Sequence, residues 1–134
     1  MILALSTTGP TTELWLLPTG AASLAVILSH EQWESGRSLA DGLLSHIVIL
    51  CRAQKSDISS LTGLVIMSGP GSFTSLRIGH TVANALADSL DIPVAGGHGD
   101  NWIIDALKRL ATAKPGELAW PLYGAEANVA RPKA

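Results

Sequence analysis

The stretch Leu64–Gly79, LVIMSGPGSFTSLRIG, constrains the fold more than any other part of the chain. Leu64, Val65, Ile66 and Met67 form an apolar run without polar alternation, the mark of a central strand covered on both faces. Gly69, Pro70 and Gly71 break that run. Ser72 or Thr74 then offers a side-chain oxygen to the free N–H groups of a following helix, and no proline interrupts the chain from Ser75 to Leu90. A strand, a glycine loop and a helix therefore follow one another directly.

Glycine loops in this position often hold phosphate, because unpaired backbone N–H groups and the helix dipole point at the ligand. The established phosphate patterns do not fit. A P-loop needs Lys followed by Ser or Thr, and a dinucleotide fingerprint needs a third glycine where Thr74 stands. The G-x-S-x-G elbow of α/β-hydrolases is excluded too, since Ser72 is flanked directly by Gly71 and Phe73. On the residues alone, the loop reads as a tight turn that lets helix and strand pack closely.

The rest of the chain extends the pattern. Strands are expected at Ile2–Leu5, near Thr12–Leu17 and at about Ala22–Ser29, joined by turns at Gly9-Pro10 and Pro18-Thr19-Gly20 as an antiparallel meander. A helix follows from Ser38 to Ala53, then a strand from Leu61 to Ser68, the helix Phe73–Leu90, a strand Ile92–Ala95 and a helix Asn101–Ala111. The order βββαβαβα predicts an α/β fold with a mixed five-stranded sheet and helices packed on it.

The segment GPGSFTSLRIG, Gly69 to Gly79, resembles the signature of the TsaB (YeaZ) family, which usually has glycine where this chain has Ser75. The similarity covers Ser56 to Gly96, includes Ile2–Leu5 as the family's first strand, and reaches the tail Trp120–Lys133, which is similar to the way many members end. The resemblance implies a single ribonuclease-H-like lobe of the actin-like ATPase superfamily, expected over residues 1–111, with 112–134 a mostly irregular tail. Members usually carry a second lobe, for which this length leaves no room. The resemblance further implies a non-catalytic scaffold subunit of the machinery that makes N6-threonylcarbamoyladenosine (t6A) in tRNA. Its implied partners are a TsaD-like catalytic subunit, paired as a heterodimer, and a TsaE-like ATPase. The metal ion and ATP are then expected only in those partners, with no cofactor in this chain, and tRNA is met only through the complex. Residues Gly69, Pro70, Gly71, Ser72, Phe73 and Thr74 carry over as the loop that shapes this region. Actin-like relatives place a carboxylate where Ser6 stands, so Ser6-Thr7-Thr8 is expected to form a turn rather than a nucleotide site.

Composition narrows the classes further. Charged residues make up 15% and apolar residues 47% of the 134, so part of the folded surface is expected to be apolar and covered by a partner. A net charge of −2, with Lys and Arg scattered from Arg37 to Lys133, gives no clustered basic face for nucleic acid. The single cysteine, Cys51, excludes an internal disulfide and fits a reducing compartment. No segment reads as a signal peptide or a membrane span, so a soluble, cytoplasmic protein is the expectation.

The candidate chemistry is sparse. His30, His46, His80 and His98 have no i, i+4 pairing and no neighbouring cysteine pair, so no metal site is expected. His98 lies near Asp100, but no activated serine accompanies them. Asp100 is expected to cap the last helix, whose core stripe is Trp102, Ile103 and Leu107. Trp15, Trp33, Trp102 and Trp120 are scattered, and ordinary packing is expected to account for them.

The strongest functional clue is a pair of helices apolar on two sides. On Ser75–Leu90, Ile78, Val82, Ala85 and Ser89 are expected to face the sheet, leaving Leu76, Gly79, Ala83 and Ala87 for another helix. With Arg77 and His80, and with Leu39, Leu43 and Ile47 of the Ser38–Ala53 helix, these residues are the expected partner interface, used for a homodimer when the partner is absent; the alternative is that the two helices simply cover each other within the chain. Two other readings remain open: a self-sufficient nucleotide-binding enzyme of the actin-like group, and a plain homodimeric scaffold.

Overall fold

In the computed structural model, which describes residues 1–123, the five strands form one mixed sheet in the order β3-β2-β1-β4-β5. β1 (Ile2–Ser6) runs antiparallel to β2 (Thr11–Leu17), and β2 antiparallel to β3 (Ser29–Glu34). On the other side β1 is parallel to β4 (Gly63–Met67), and β4 to β5 (Val94–Gly97). The alternation of side chains along β1 separates two apolar layers. Leu3 and Leu5 point into a core closed by α1 (Leu39–Ala53) and α2 (Phe73–Leu90), whereas Ile2 and Ala4 meet α3 (Trp102–Leu110) on the opposite face. Covering both faces is what allows β1 and β4 to be almost wholly apolar.

The third strand lies further along the chain than the apolar run Ala22–Ser29 suggests. Residues 22–28 form an exposed loop, with Val26 55% and Ile27 44% accessible. The strand is instead the polar Ser29–Glu34. Its side chains find specific partners on each face: His30 stacks on Trp15 at 5.3 Å and hydrogen-bonds Glu13, while Trp33 stacks on His46 at 3.7 Å and Glu31 hydrogen-bonds the same ring. Cross-strand pairs of this kind stabilise a strand whose own residues are polar.

The start of α3 also differs from expectation. Asp100 makes no cap, and Asn101 occupies the N-cap position without a side-chain bond. Asp105 reaches back instead, accepting from the His98 N–H at 3.4 Å. The expected tail has no helix or strand from residue 112 to 123, and its part from residue 124 to 134 lies outside the described residues.

Candidate functional site: the glycine loop and the helix α2

The turn after β1, the glycine loop after β4 and the turn after β5 gather at the carboxyl ends of the three parallel strands, where ligands of open α/β sheets bind. Here the first two pack against each other. Gly69 has φ +132°, a conformation that disfavours any side chain. Gly71 lies directly on Thr8, and its missing Cβ is what lets the two backbones meet. Ser72 donates its N–H to the Thr8 carbonyl at 2.8 Å, and its hydroxyl accepts from the Ser75 N–H at 3.4 Å, capping α2. Thr7 donates its hydroxyl to the Ser75 carbonyl at 3.0 Å. Ser6 closes the turn through a hydroxyl contact with the Met67 sulfur at 3.6 Å. Two of the backbone donors that a phosphate cradle would present, those of Ser72 and Ser75, are thus already engaged.

The two stripes of α2 are reversed relative to the sequence expectation. Leu76, Gly79, His80, Ala83 and Ala87 are buried inside the chain, as are Leu39, Leu43 and Ile47 of α1. None of these eight offers surface to a partner. Arg77 alone of the expected interface is exposed. Gly79, with no Cβ, seats α2 against Thr7, just beyond β1, and the small Ala83 and Ala87 join the core cluster on that face of the sheet. The outward stripe is Thr74, Arg77, Ile78, Thr81 and Val82. With Ala40 of α1 these residues line an open cleft of about 290 Å³ between the two helices. Leu44, 49% exposed, extends that face along α1.

Buried groups on these helices are held neutral. Burial pushes the His80 imidazole below the ordinary histidine range, partly opposed by its Nδ1 hydrogen bond to the Leu76 carbonyl at 2.9 Å, and its Nε2 has no partner among the described residues. Burial, with a smaller contribution from Asp57, raises the Cys51 thiol. Among the described residues no three His, Cys, Asp or Glu side chains converge, and no helix is long and apolar enough to cross a membrane.

A feature that sequence reasoning missed is the tail's return over α2. Asn84 donates to the Ala119 carbonyl at 3.0 Å and accepts the Ala119 N–H at 2.9 Å, pairing with it as a strand would. Leu122 then donates to the Ser68 carbonyl at 2.7 Å, and Tyr123 packs on Phe73 at 4.5 Å. The one available signal was Asn84 itself, a polar residue between apolar stripes. Trp120 is 72% exposed, so internal packing does not account for it.

The matches to known proteins agree with this fold. The family model described as "TsaD: tRNA N6-adenosine threonylcarbamoyltransferase" matches residues 35–115, more than half of the chain. A segment of 35 residues is 54% identical to the tRNA threonylcarbamoyladenosine biosynthesis protein TsaB of Bacillus subtilis, covering 26% of this chain and 15% of that one. YeaZ from Pseudomonas aeruginosa superposes with a TM-score of 0.63 and 28% identity over 72% of this chain. A second structure, titled as an uncharacterized protein with similarity to peptidase YEAZ from Pseudomonas aeruginosa, gives the same score and identity. The chain spans 43% and 42% of those two structures.

Proposed function

Because the chain belongs to the TsaD family and is of its TsaB (YeaZ) kind, we propose that it serves the synthesis of N6-threonylcarbamoyladenosine in tRNA as a non-catalytic scaffold subunit that pairs with a TsaD-like catalytic subunit. The observation that carries the scaffold reading is the glycine loop, whose Ser72 and Ser75 donors are spent on Thr8 and the helix cap. A loop held in this way positions a helix rather than a phosphate. The helix it positions presents Ile78, Thr81 and Val82 beside Ala40, a shallow face of small and apolar side chains that suits close approach by a helix of another subunit. When the catalytic subunit is absent, the same face pairs with its own copy across a two-fold axis. ATP and metal are supplied by the catalytic subunit and a TsaE-like ATPase, and tRNA is met through the assembled complex.

Complementation tests this reading: in a bacterium depleted of its own TsaB, expression of this chain together with the TsaD-like subunit of its own genome should restore t6A, measured by mass spectrometry of digested tRNA. Restoration by the chain alone, with the host's TsaD removed as well, would show that it carries catalysis itself.

A further inference from the structure

His80 carries a buried polar atom that the fold leaves unserved. Its Nδ1 lies 2.9 Å from the Leu76 carbonyl, and since a carbonyl only accepts, Nδ1 holds the proton and Nε2 is a lone-pair acceptor. Burial keeps the ring neutral in that form. The residue is 3% exposed, and Nε2, at the far end of the ring, is the one buried side-chain nitrogen or oxygen without a partner among the described residues. Such an atom is costly unless a donor meets it.

His80 lines an open cleft of about 330 Å³ between α2 and the returning tail. Arg77 and Thr81 stand beside it on the helix, and Trp120, Pro121 and Tyr123 face them from the tail. No Asp or Glu side chain lines the cleft among the described residues. The two hydrogen bonds between Asn84 and Ala119 hold the tail at this spacing. Trp120, 72% exposed, offers an indole that packing within the chain does not use. Arg77 is exposed, with its guanidinium 5.5 Å from the centre of the Phe73 ring. A cation, a buried acceptor and aromatic walls around one small volume have the composition of a ligand pocket, a few polar groups among apolar ones.

We propose that this cleft binds a free α-amino acid with an apolar side chain. The carboxylate pairs with Arg77, the ammonium group donates to His80 Nε2, and the side chain rests on Trp120 and Pro121. Each group of the protein selects one group of the ligand. The guanidinium fork suits a carboxylate. A neutral imidazole acceptor requires a donor, and a charged donor makes the stronger bond. The volume is close to the lower limit of about 300 Å³ for ligand pockets, which favours a small molecule. Arg77 and Thr81 also border the outward face of α2, but the ligand needs only the isolated chain, so the proposal stands whether or not that face pairs with a TsaD-like subunit.

Nuclear magnetic resonance on the full chain, labelled with nitrogen-15, tests the cleft with three probes: L-phenylalanine, L-phenylalaninamide, which lacks the carboxylate, and 3-phenylpropionate, which lacks the ammonium group. At millimolar L-phenylalanine the His80 Nε2 resonance should move upfield as it accepts a hydrogen bond, and the Trp120 indole signal should shift with it. The other two probes should each bind about tenfold more weakly or worse, the effect of losing one hydrogen bond to a charged group. Trp120→Ala and Arg77→Gln, both at exposed positions, should keep the fold. The first should weaken phenylalanine binding by about tenfold, and the second should remove the preference for phenylalanine over its amide. Absence of phenylalanine binding at millimolar concentration would overturn the proposal. So would equal binding of 3-phenylpropionate, or binding that leaves the His80 Nε2 resonance unmoved.

Discussion

Thr7 and Gly79 touch across the junction of β1 and α2, so closely that any side chain at 79 would overlap the Thr7 hydroxyl. That hydroxyl is itself fixed by donating to the Ser75 carbonyl at 3.0 Å. The contact decides how near α2 comes to the sheet, and with it which stripe of the helix is left outward.

Gly79→Ala should therefore destabilise the protein by about 2 kcal/mol, despite the roughly 1 kcal/mol that alanine contributes as a better helix former. Thr7→Ala removes the hydroxyl, the atom of closest overlap, and the γ-methyl, so the double variant should lie closer to wild type than the two single changes predict. Urea denaturation of the four proteins measures the coupling. A stabilised Gly79→Ala would mean that the helix does not sit where Thr7 holds it.

The reversal of stripes gives a second test. Ala83 is 1% exposed and faces the sheet, so Ala83→Arg should cost several kcal/mol and compromise folding itself. Thr81→Arg, two residues away on the exposed face, should stay within about 0.5 kcal/mol of wild type. Thermal melts of the two variants separate these outcomes, and equal stability would place Ala83 on the surface.

Much of this architecture was legible in the sequence, and the failures share a physical cause. The unalternating Leu64–Met67, the glycine break and the Ser72 cap gave the central strand, loop and helix directly, because each is a local property of a few residues. The two stripes of α2 were legible as stripes. Their orientation was not, since periodicity is symmetric between two apolar sides and only the contact of Gly79 with Thr7, distant in sequence, breaks the tie. The place of the third strand is hidden for a similar reason: the apolar 22–28 is exposed among the described residues, whereas His30, Glu31 and Trp33 acquire partners from Glu13, Trp15 and His46. The tail's place over α2 depends on Asn84 acting as a piece of backbone, which no local pattern announces.

Asn84→Ala should release that tail. The substitution leaves the Ala119 N–H and C=O without partners in a buried position, a loss of about 1–3 kcal/mol from the strap. Amide exchange at Ala119 and Leu122 should accelerate by about tenfold or more while that of β1 and β4 is unchanged. Uniform acceleration across the sheet would instead make the tail part of the global unit.

His80 predicts a pH dependence. Because burial holds its folded pKa below the unfolded value near 6.5, the unfolded chain takes up a proton first as pH falls, so stability from this residue is complete above about pH 6.5 and declines below it. His80→Leu removes that term and leaves no orphaned Nε2. The stability difference between wild type and variant, measured by urea titration at successive pH values, should move against the wild type on going from pH 7.5 to 5. A pH-independent difference would show that the imidazole is not held neutral in the fold.

In the proposed function, the outward face of α1 and α2, with Ala40, Ile78, Thr81 and Val82, binds a TsaD-like catalytic subunit. Isothermal calorimetry of that subunit, from the same genome, against wild type, Thr81→Arg and Trp120→Ala measures it most directly. The expected result is a one-to-one complex with wild type and with Trp120→Ala, and binding at least about a hundredfold weaker with Thr81→Arg. No complex with wild type, or undiminished binding by a folded Thr81→Arg, would contradict the claim.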